Sequence, residues 1–249
     1  QGTLAFKNVS FTYPDSGVKA LKNISFKVEQ GKSLAIIGTT GSGKSTIANL
    51  LCRLYDVDKG SILIDNQEID KINLDAYRNS IGYVPQDVYL FSDTISNNIS
   101  FSTTIADTDE DAVLQAAEDA QVYSNIIEFP NGFETRVGER GITLSGGQKQ
   151  RISIARAIIK QPSILIFDDC LSAVDTETEE RILQNLKRIM DNRTTIIISH
   201  RVSSVKHCDE ILVLDEGEIQ ENGSHDELMK KRGSYFEIHE QQQLEAMKA

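Results

Sequence analysis

The sequence predicts an α/β fold, a largely parallel sheet with a block of helices inserted into it, from three observations. Ser33 to Ile37, Ser163 to Phe167 and Thr194 to Ile198 are short apolar runs rich in β-branched residues, the pattern of strands buried on both faces. A glycine-rich loop and a helical stretch beginning at Lys44 follow the first run. Between about Asp87 and Lys160 the apolar period changes to that of helices.

The elements follow in order. Leu4 to Phe11 and Ile24 to Val28 alternate apolar and polar residues, as half-buried strands do, and Tyr13-Pro14-Asp15-Ser16-Gly17 between them is turn chemistry. Asp109 to Gln121 places Val113, Leu114, Ala117 and Ala120 on one helical face; Gln148 to Lys160 places Ile152, Ala155 and Ile159 on another. The tail from Tyr235 to Ala249 reads as a polar helical end containing Gln241-Gln242-Gln243. No repeat or low-complexity tract interrupts the chain. The expected organisation is one unit over 1–249, with a core lobe from 1–86 and 160–249 and a helical lobe from 87–159.

Composition narrows the function class. Hydrophobic residues make up 39% and charged residues 25% of the 249, enough for a core that needs neither disulfides nor a structural metal. Lys and Arg number 26 against 37 Asp and Glu, a formal charge of -11, which disfavours binding to nucleic-acid backbones. Cys52, Cys170 and Cys208 are dispersed, without the spacing of a zinc site or a disulfide framework, and fit a reducing cytosol. No apolar run approaches the roughly 20 residues that span a bilayer. The chain opens on Gln1-Gly2 rather than Met, and the expectation is a segment of a longer polypeptide.

Gly38-Thr39-Thr40-Gly41-Ser42-Gly43-Lys44-Ser45-Thr46 fits G-x-x-x-x-G-K-[ST] in the required strand–loop–helix setting. Glycines let consecutive backbone N–H groups face an anion, and the helix start adds partial positive charge. Lys44 can reach β- and γ-phosphates and the Ser45 hydroxyl can bind Mg²⁺. Ile164-Leu165-Ile166-Phe167-Asp168-Asp169 is an apolar strand ending in two carboxylates, and ligands of open α/β sheets sit at such strand ends. Asp168 is placed to hold Mg²⁺ and Asp169 to act as a general base. Leu144-Ser145-Gly146-Gly147-Gln148 supplies an N-cap serine and two glycines, a second helix start suited to anions.

The phosphate loop, then Leu-Ser-Gly-Gly-Gln, then an acidic strand, resembles the ABC ATPase family across almost the whole chain. The resemblance implies a P-loop NTPase core of RecA-like type with a mixed sheet, an antiparallel β subdomain and an inserted α-helical subdomain. It implies ATP and Mg²⁺ as ligands and an ATPase activity. By position it makes Tyr13 the aromatic that stacks on adenine, through its ring face rather than its hydroxyl. Gln86 becomes the residue that senses Mg²⁺ and couples to the membrane part. His200 becomes the switch that contacts the γ-phosphate, and Asp175, in Ser172-Ala173-Val174-Asp175, part of the loop between paired cassettes. Ser145, Gly146, Gly147 and Gln148 would meet the ATP of a second cassette, in a homo- or heterodimer. Thr135 to Gly141 resembles the exporter segment that touches intracellular helices, which implies a transmembrane domain as partner and a place at the cytoplasmic face of a membrane. The isolated chain is expected to be soluble.

The family commonly has Glu directly after the Mg²⁺ aspartate, where this chain has Asp169. Two readings follow: an active exporter motor, or a regulatory ATP-binding cassette that hydrolyses little and partners a competent one. A third, a soluble ABC ATPase of DNA repair or translation, lacks the coiled-coil insertion or second cassette that would support it. The transported substrate is not encoded in these residues.

Overall fold

The computed structural model describes residues 2–103, 109–138, 142–170, 176–190 and 192–247. Two sheets share the molecule. The first is antiparallel, in the order β2-β1-β4-β5, from β1 (Leu4–Thr12), β2 (Lys19–Val28), β4 (Lys59–Ile64) and β5 (Gln67–Glu68). The second runs β10-β9-β3-β8-β7-β6, from β3 (Ser33–Gly38), β6 (Ile81–Val84), β7 (Ile164–Asp168), β8 (Thr194–Ile198), β9 (Glu210–Asp215) and β10 (Glu218–Gly223). Its strands are parallel from β9 to β6, and β10 returns antiparallel at the edge. The predicted mixed sheet and antiparallel subdomain are both present.

The apolar alternation of β1 carries a slip. Leu4 and Phe6 are buried, then Val9 and Phe11, a step of three where a strand takes two. Asn8 absorbs the extra residue at φ 50°, with a register shift against β2 between Phe6 and Val9. The bulge presses on Gly60 of β4, where a Cβ would lie 2.3 Å from the Lys7 carbonyl oxygen and 2.4 Å from that of Asn8. Gly60 also has φ 82°, so only glycine meets both demands.

The central strands divide their residues between two cores. Ala35, Ile37, Leu165, Phe167 and Ile197 face one apolar cluster; Leu34, Ile36, Ile164, Ile166, Ile196 and Ile198 face the other. The second cluster takes in the antiparallel sheet, α1 (Lys44–Leu51) and, through Tyr77, α2 (Leu74–Asn79). The first takes in the inserted helices α3 (Ile95–Ser100), α4 (Glu110–Asp119), α5 (Tyr123–Ile127) and α6 (Gly146–Ile158), then α7 (Thr176–Met190) and α8 (Val202–Val205). This two-sided burial is why β3, β7 and β8 read as unbroken apolar runs. In α4, Val113 and Ala117 are buried, as is Ala120 just after it; Ala116 joins them, while Leu114 is only half-buried. The polar tail forms α10 (Ser234–Ala246), after α9 (His225–Lys231). Among the described residues, no helix is long and apolar enough to cross a membrane.

Gly60→Ala should destabilise the fold by about 1–3 kcal/mol, because it meets both a left-handed backbone and two carbonyl oxygens. Urea unfolding of the two proteins measures this; equal midpoints would mean that the bulge relaxes freely around a methyl group.

Candidate functional site

Parallel strands put their carboxyl ends along one edge of the sheet, and four neighbours there carry the predicted residues. The loop to Lys44 follows β3, His200 follows β8, Asp168 ends β7, and Gln86 follows β6. They meet in a cleft of 570 Å³ whose wall includes Tyr13, Thr40, Gly41, Gly43, Lys44, Ser45, Thr46, Gln86, Asp168, Asp169 and His200. Residues that sequence reasoning missed complete it: Val18, Lys19, Ala20 and Lys22 from β2 and the turn before it, and Glu216 and Gly217 after β9. Their only signal was position, since β9 runs parallel beside β3 and delivers its end to the same edge.

The loop closes on its own lysine. The Lys44 ammonium, 5% exposed, donates to the carbonyl oxygens of Gly38 at 2.9 Å and Thr39 at 2.7 Å, and lies 3.5 Å from Ser42 Oγ. Burial lowers its pKa, while the carboxylates of Asp169 and Asp168 oppose that shift. Gly38 is forced: a Cβ there would stand 1.9 Å from the Leu214 carbonyl oxygen. Thr39 and Ser42 do not line the cleft: Thr39 is exposed and donates from Oγ1 to Asp215 at 3.0 Å, and Ser42 is buried. Helix α1 begins at Gly43 without a side-chain cap, so none of its first N–H groups is held by a capping side chain.

Below the loop, Ser45 Oγ donates to Asp168 Oδ1 at 3.0 Å. Burial pushes the Asp168 carboxyl above the usual carboxylate range, and the Ser45 hydrogen bond partly offsets this. The Tyr83 hydroxyl, also drawn to that carboxylate, has its own pKa raised by burial. At the rim, Gln86 Nε2 lies 3.4 Å from Asp169 Oδ2. Asp169 is held at φ 45° by its N–H bond to the Ile198 carbonyl, a backbone that Asp tolerates better than longer side chains. A hydroxyl and a carboxylate 3.0 Å apart, both hard oxygen donors beside an anion-binding loop, suit Mg²⁺ shared with phosphate oxygens.

Tyr13 is placed at the cleft, but its hydroxyl is not idle. It lies 3.1 Å from Thr46 Oγ1 and accepts from Asn49 Nδ2 at 3.2 Å, both on α1. The hydroxyl ties the ring to the helix that carries the phosphate loop.

None of Ser145, Gly146, Gly147 and Gln148 lines the cleft. They open α6 elsewhere, with Ser145 and Gly146 exposed. Here the helix start is capped: Ser145 Oγ accepts from the Gln148 N–H at 3.2 Å and Gln148 Oε1 accepts from the Ser145 N–H at 2.9 Å. Asp175, and Glu139 to Gly141 of the predicted exporter segment, lie outside the described residues.

A family profile described as ABC transporter matches residues 21–172. ABC transporter B family member 6 of Dictyostelium discoideum is 49% identical over 251 residues, covering 98% of this chain and 37% of that protein. The ATP-dependent lipid A-core flippase of Escherichia coli K12 is 44% identical over 241 residues, 97% of this chain and 41% of the flippase. A solved structure of a bacterial Atm1-family ABC exporter with ATP bound superposes with a TM-score of 0.91 at 44% identity, over 97% of this chain and 42% of that one. The chain thus spans less than half the length of these relatives. With the phosphate loop, the acidic strand end and the capped second helix start in family order on the family fold, the chain belongs to the ABC transporter family, as a nucleotide-binding domain of exporter type.

Proposed function

We propose that this chain binds ATP with Mg²⁺ in the cleft and hydrolyses it to drive export through a transmembrane domain. The observation that carries this reading is the cluster at the sheet edge: a buried Lys44 in an uncapped helix start, above a Ser45–Asp168 pair, with Asp169 and Gln86 at the rim. Lys44 now satisfies its ammonium on two neutral carbonyls. Exchanging them for β- and γ-phosphate oxygens gives stronger, charge-assisted bonds. The first N–H groups of α1 and the loop amides surround the same phosphates. Ser45 and Asp168 would hold Mg²⁺, which neutralises charge on the β- and γ-oxygens. Asp169 takes the proton of the attacking water, Gln86 orients that carboxylate, and His200 contacts the γ-phosphate. Tyr13 stacks on adenine at the outer end.

The second helix start supports a head-to-tail pair. Ser145 to Gln148 lie outside the cleft of their own chain, which supports a role at the ATP of another cassette. The core lobe 1–86 and 160–249 would then bind one ATP and the lobe 87–159 the other, with Asp175 in the crossing loop.

A surface on the helical lobe supports docking to a transmembrane domain at the cytoplasmic face of a membrane. Tyr89 and Phe101 are exposed, Phe91 stacks on Phe101 with centroids 4.2 Å apart, and Arg156 lies over both phenylalanines. Arg156 is fixed by bonds to the carbonyls of Asn98 at 2.7 Å and Tyr89 at 2.9 Å. The adjoining groove is walled by Tyr89, Val137, Gly138 and Leu144, the last directly before Ser145. A helix end seated there could push on the second helix start.

The alternative, a regulatory cassette with little hydrolysis, is favoured by Asp169 itself. Asp is shorter than Glu by one methylene, roughly 1.5 Å of reach, and a general base must come within about 2.6–3.2 Å of its proton or act through a further water.

Lys44→Ala should abolish measurable phosphate release and weaken ATP binding at least about tenfold; unchanged turnover would sink the phosphate-loop assignment. Asp168→Asn should separate stability from function. A raised carboxyl pKa means that the ionised form is costlier folded than unfolded; the cost is absent below the ordinary carboxylate pKa and grows as pH rises through the raised value. At neutral pH the neutral amide should therefore raise the nucleotide-free melting temperature by about 2–4 °C, while hydrolysis falls about a hundredfold or more. A lower melting temperature would show that the charge stabilises the fold. Asp169→Glu decides between motor and regulator. A roughly tenfold rise in steady-state turnover with unchanged ATP affinity marks a slow site waiting for reach. If Glu gives no gain and Asp169→Asn stops hydrolysis, Asp169 is already a competent base.

A further inference from the structure

The segment after β8 is held from three sides, and one of the holders comes from the far end of the chain. The Ser199 N–H donates to the Ile36 carbonyl of β3 at 3.2 Å, and Ser199 Oγ accepts from the Arg201 N–H at 3.0 Å. Glu179 of α7, 1% exposed, accepts from Arg201 Nη1 at 3.0 Å and from the Ser204 hydroxyl. The third hold is Gln242 of α10. Its Nε2 donates to the His200 carbonyl at 2.6 Å and its Oε1 accepts from the Val202 N–H at 2.9 Å.

This amide therefore bridges Arg201, bonding the backbone on either side of it as a neighbouring strand would. Helix α8 has Arg201 at its N-cap position with no side-chain cap, so Gln242 satisfies a donor that the local sequence leaves open. Gln241 and Gln243 are exposed, whereas Gln242 is half-buried. A glutamine side chain loses up to about 1.5–2 kcal/mol of rotamer entropy when fixed, so two good bonds to one short loop are a specific contact. Their common target is the backbone that aims His200 into the cleft.

We propose that Gln242 is a positioning residue for His200, through which the C-terminal helix sets the rate of hydrolysis. The proposal rests on the reading of His200 as the group that contacts the γ-phosphate. It makes α10 part of the hydrolytic machinery: any event that lifts the helix off the loop slows turnover without touching the nucleotide.

The test is a double-mutant cycle in the 249-residue chain, with kcat, KM and ATP affinity measured by phosphate release and nucleotide titration. Gln242→Met keeps the length and removes the amide; Gln242→Ala removes both. Each should lower kcat about five- to tenfold with KM and ATP affinity unchanged, the split expected when only the transition state is affected. In a His200→Ala background the same changes should have no further effect, because the two residues act as one unit. Melting temperatures identify any variant that fails to fold, and Met preserves the packing if Ala does not. Wild-type kcat in Gln242→Met, or equal losses with and without His200, overturns the proposal while leaving the His200 assignment standing. If His200→Ala itself turns over normally, that assignment fails and this proposal falls with it.

Discussion

The site depends on one topological constraint: five neighbouring strands, β9, β3, β8, β7 and β6, all run the same way. Parallel pairing cannot be made by a tight turn; every step requires a crossover, and the crossovers lie on the faces of the sheet. Residues as distant as Lys44, Asp168 and His200 are therefore delivered to one edge, while the helices that return the chain bury both faces. Gly38 shows how tight this is, since the approach of β9 leaves no space for even a methyl group on the first residue of the phosphate loop.

What the edge holds is electrostatically unfinished. Lys44 and Asp168 are both buried, and burial acts against the charged form of each. Their hydrogen-bond partners, two loop carbonyls and a serine hydroxyl, are neutral, and the attraction between Lys44 and the carboxylates of Asp168 and Asp169 offsets the burial only in part. On the proposed function, a phosphate and a divalent cation would together supply further opposite charge. On the proposed reading, the chain folds with a site whose strongest interactions are reserved for Mg-ATP, and a buried charge is the cost of that readiness.

The parts of this arrangement that sequence reveals are those with short-range physical signatures. β3, β7 and β8 were legible because two-sided burial writes an unbroken apolar run, and the phosphate loop because anion binding requires glycines and a lysine at fixed spacing. The bulge at Asn8 was not, since alternation from Leu4 to Phe11 looks regular until the fold shows Phe6 and Val9 on one side. The bonds of the Tyr13 hydroxyl are hidden for a related reason: its partners Thr46 and Asn49 lie on α1, more than thirty positions away. The exposed aromatics Tyr89, Phe91 and Phe101 resemble ordinary core residues in composition, and only their arrangement over Arg156 marks a surface. Gln242 was the least visible, one of three consecutive glutamines, distinguished by the direction in which a helix turns it.

The two helix starts differ in a way that bears on how the molecule works. At α1 no side chain caps the helix, so no capping group has to leave before an anion meets its first amides. At α6 the Ser145–Gln148 capping box already occupies one N–H at each end of the motif. A phosphate arriving there must either use the remaining glycine amides and the serine hydroxyl, or displace the Gln148 side chain and break the box. The first start is thus poised for an anion, and the second is internally satisfied until one is presented, on the proposed reading by a second chain. That asymmetry gives an order of events on the proposed reading: ATP settles first on the phosphate loop, and the exposed γ-phosphate then recruits the capped helix of a second chain. Where the phosphate has displaced Gln148, its loss by hydrolysis would let the box close again, so that the cap competes with the dimer.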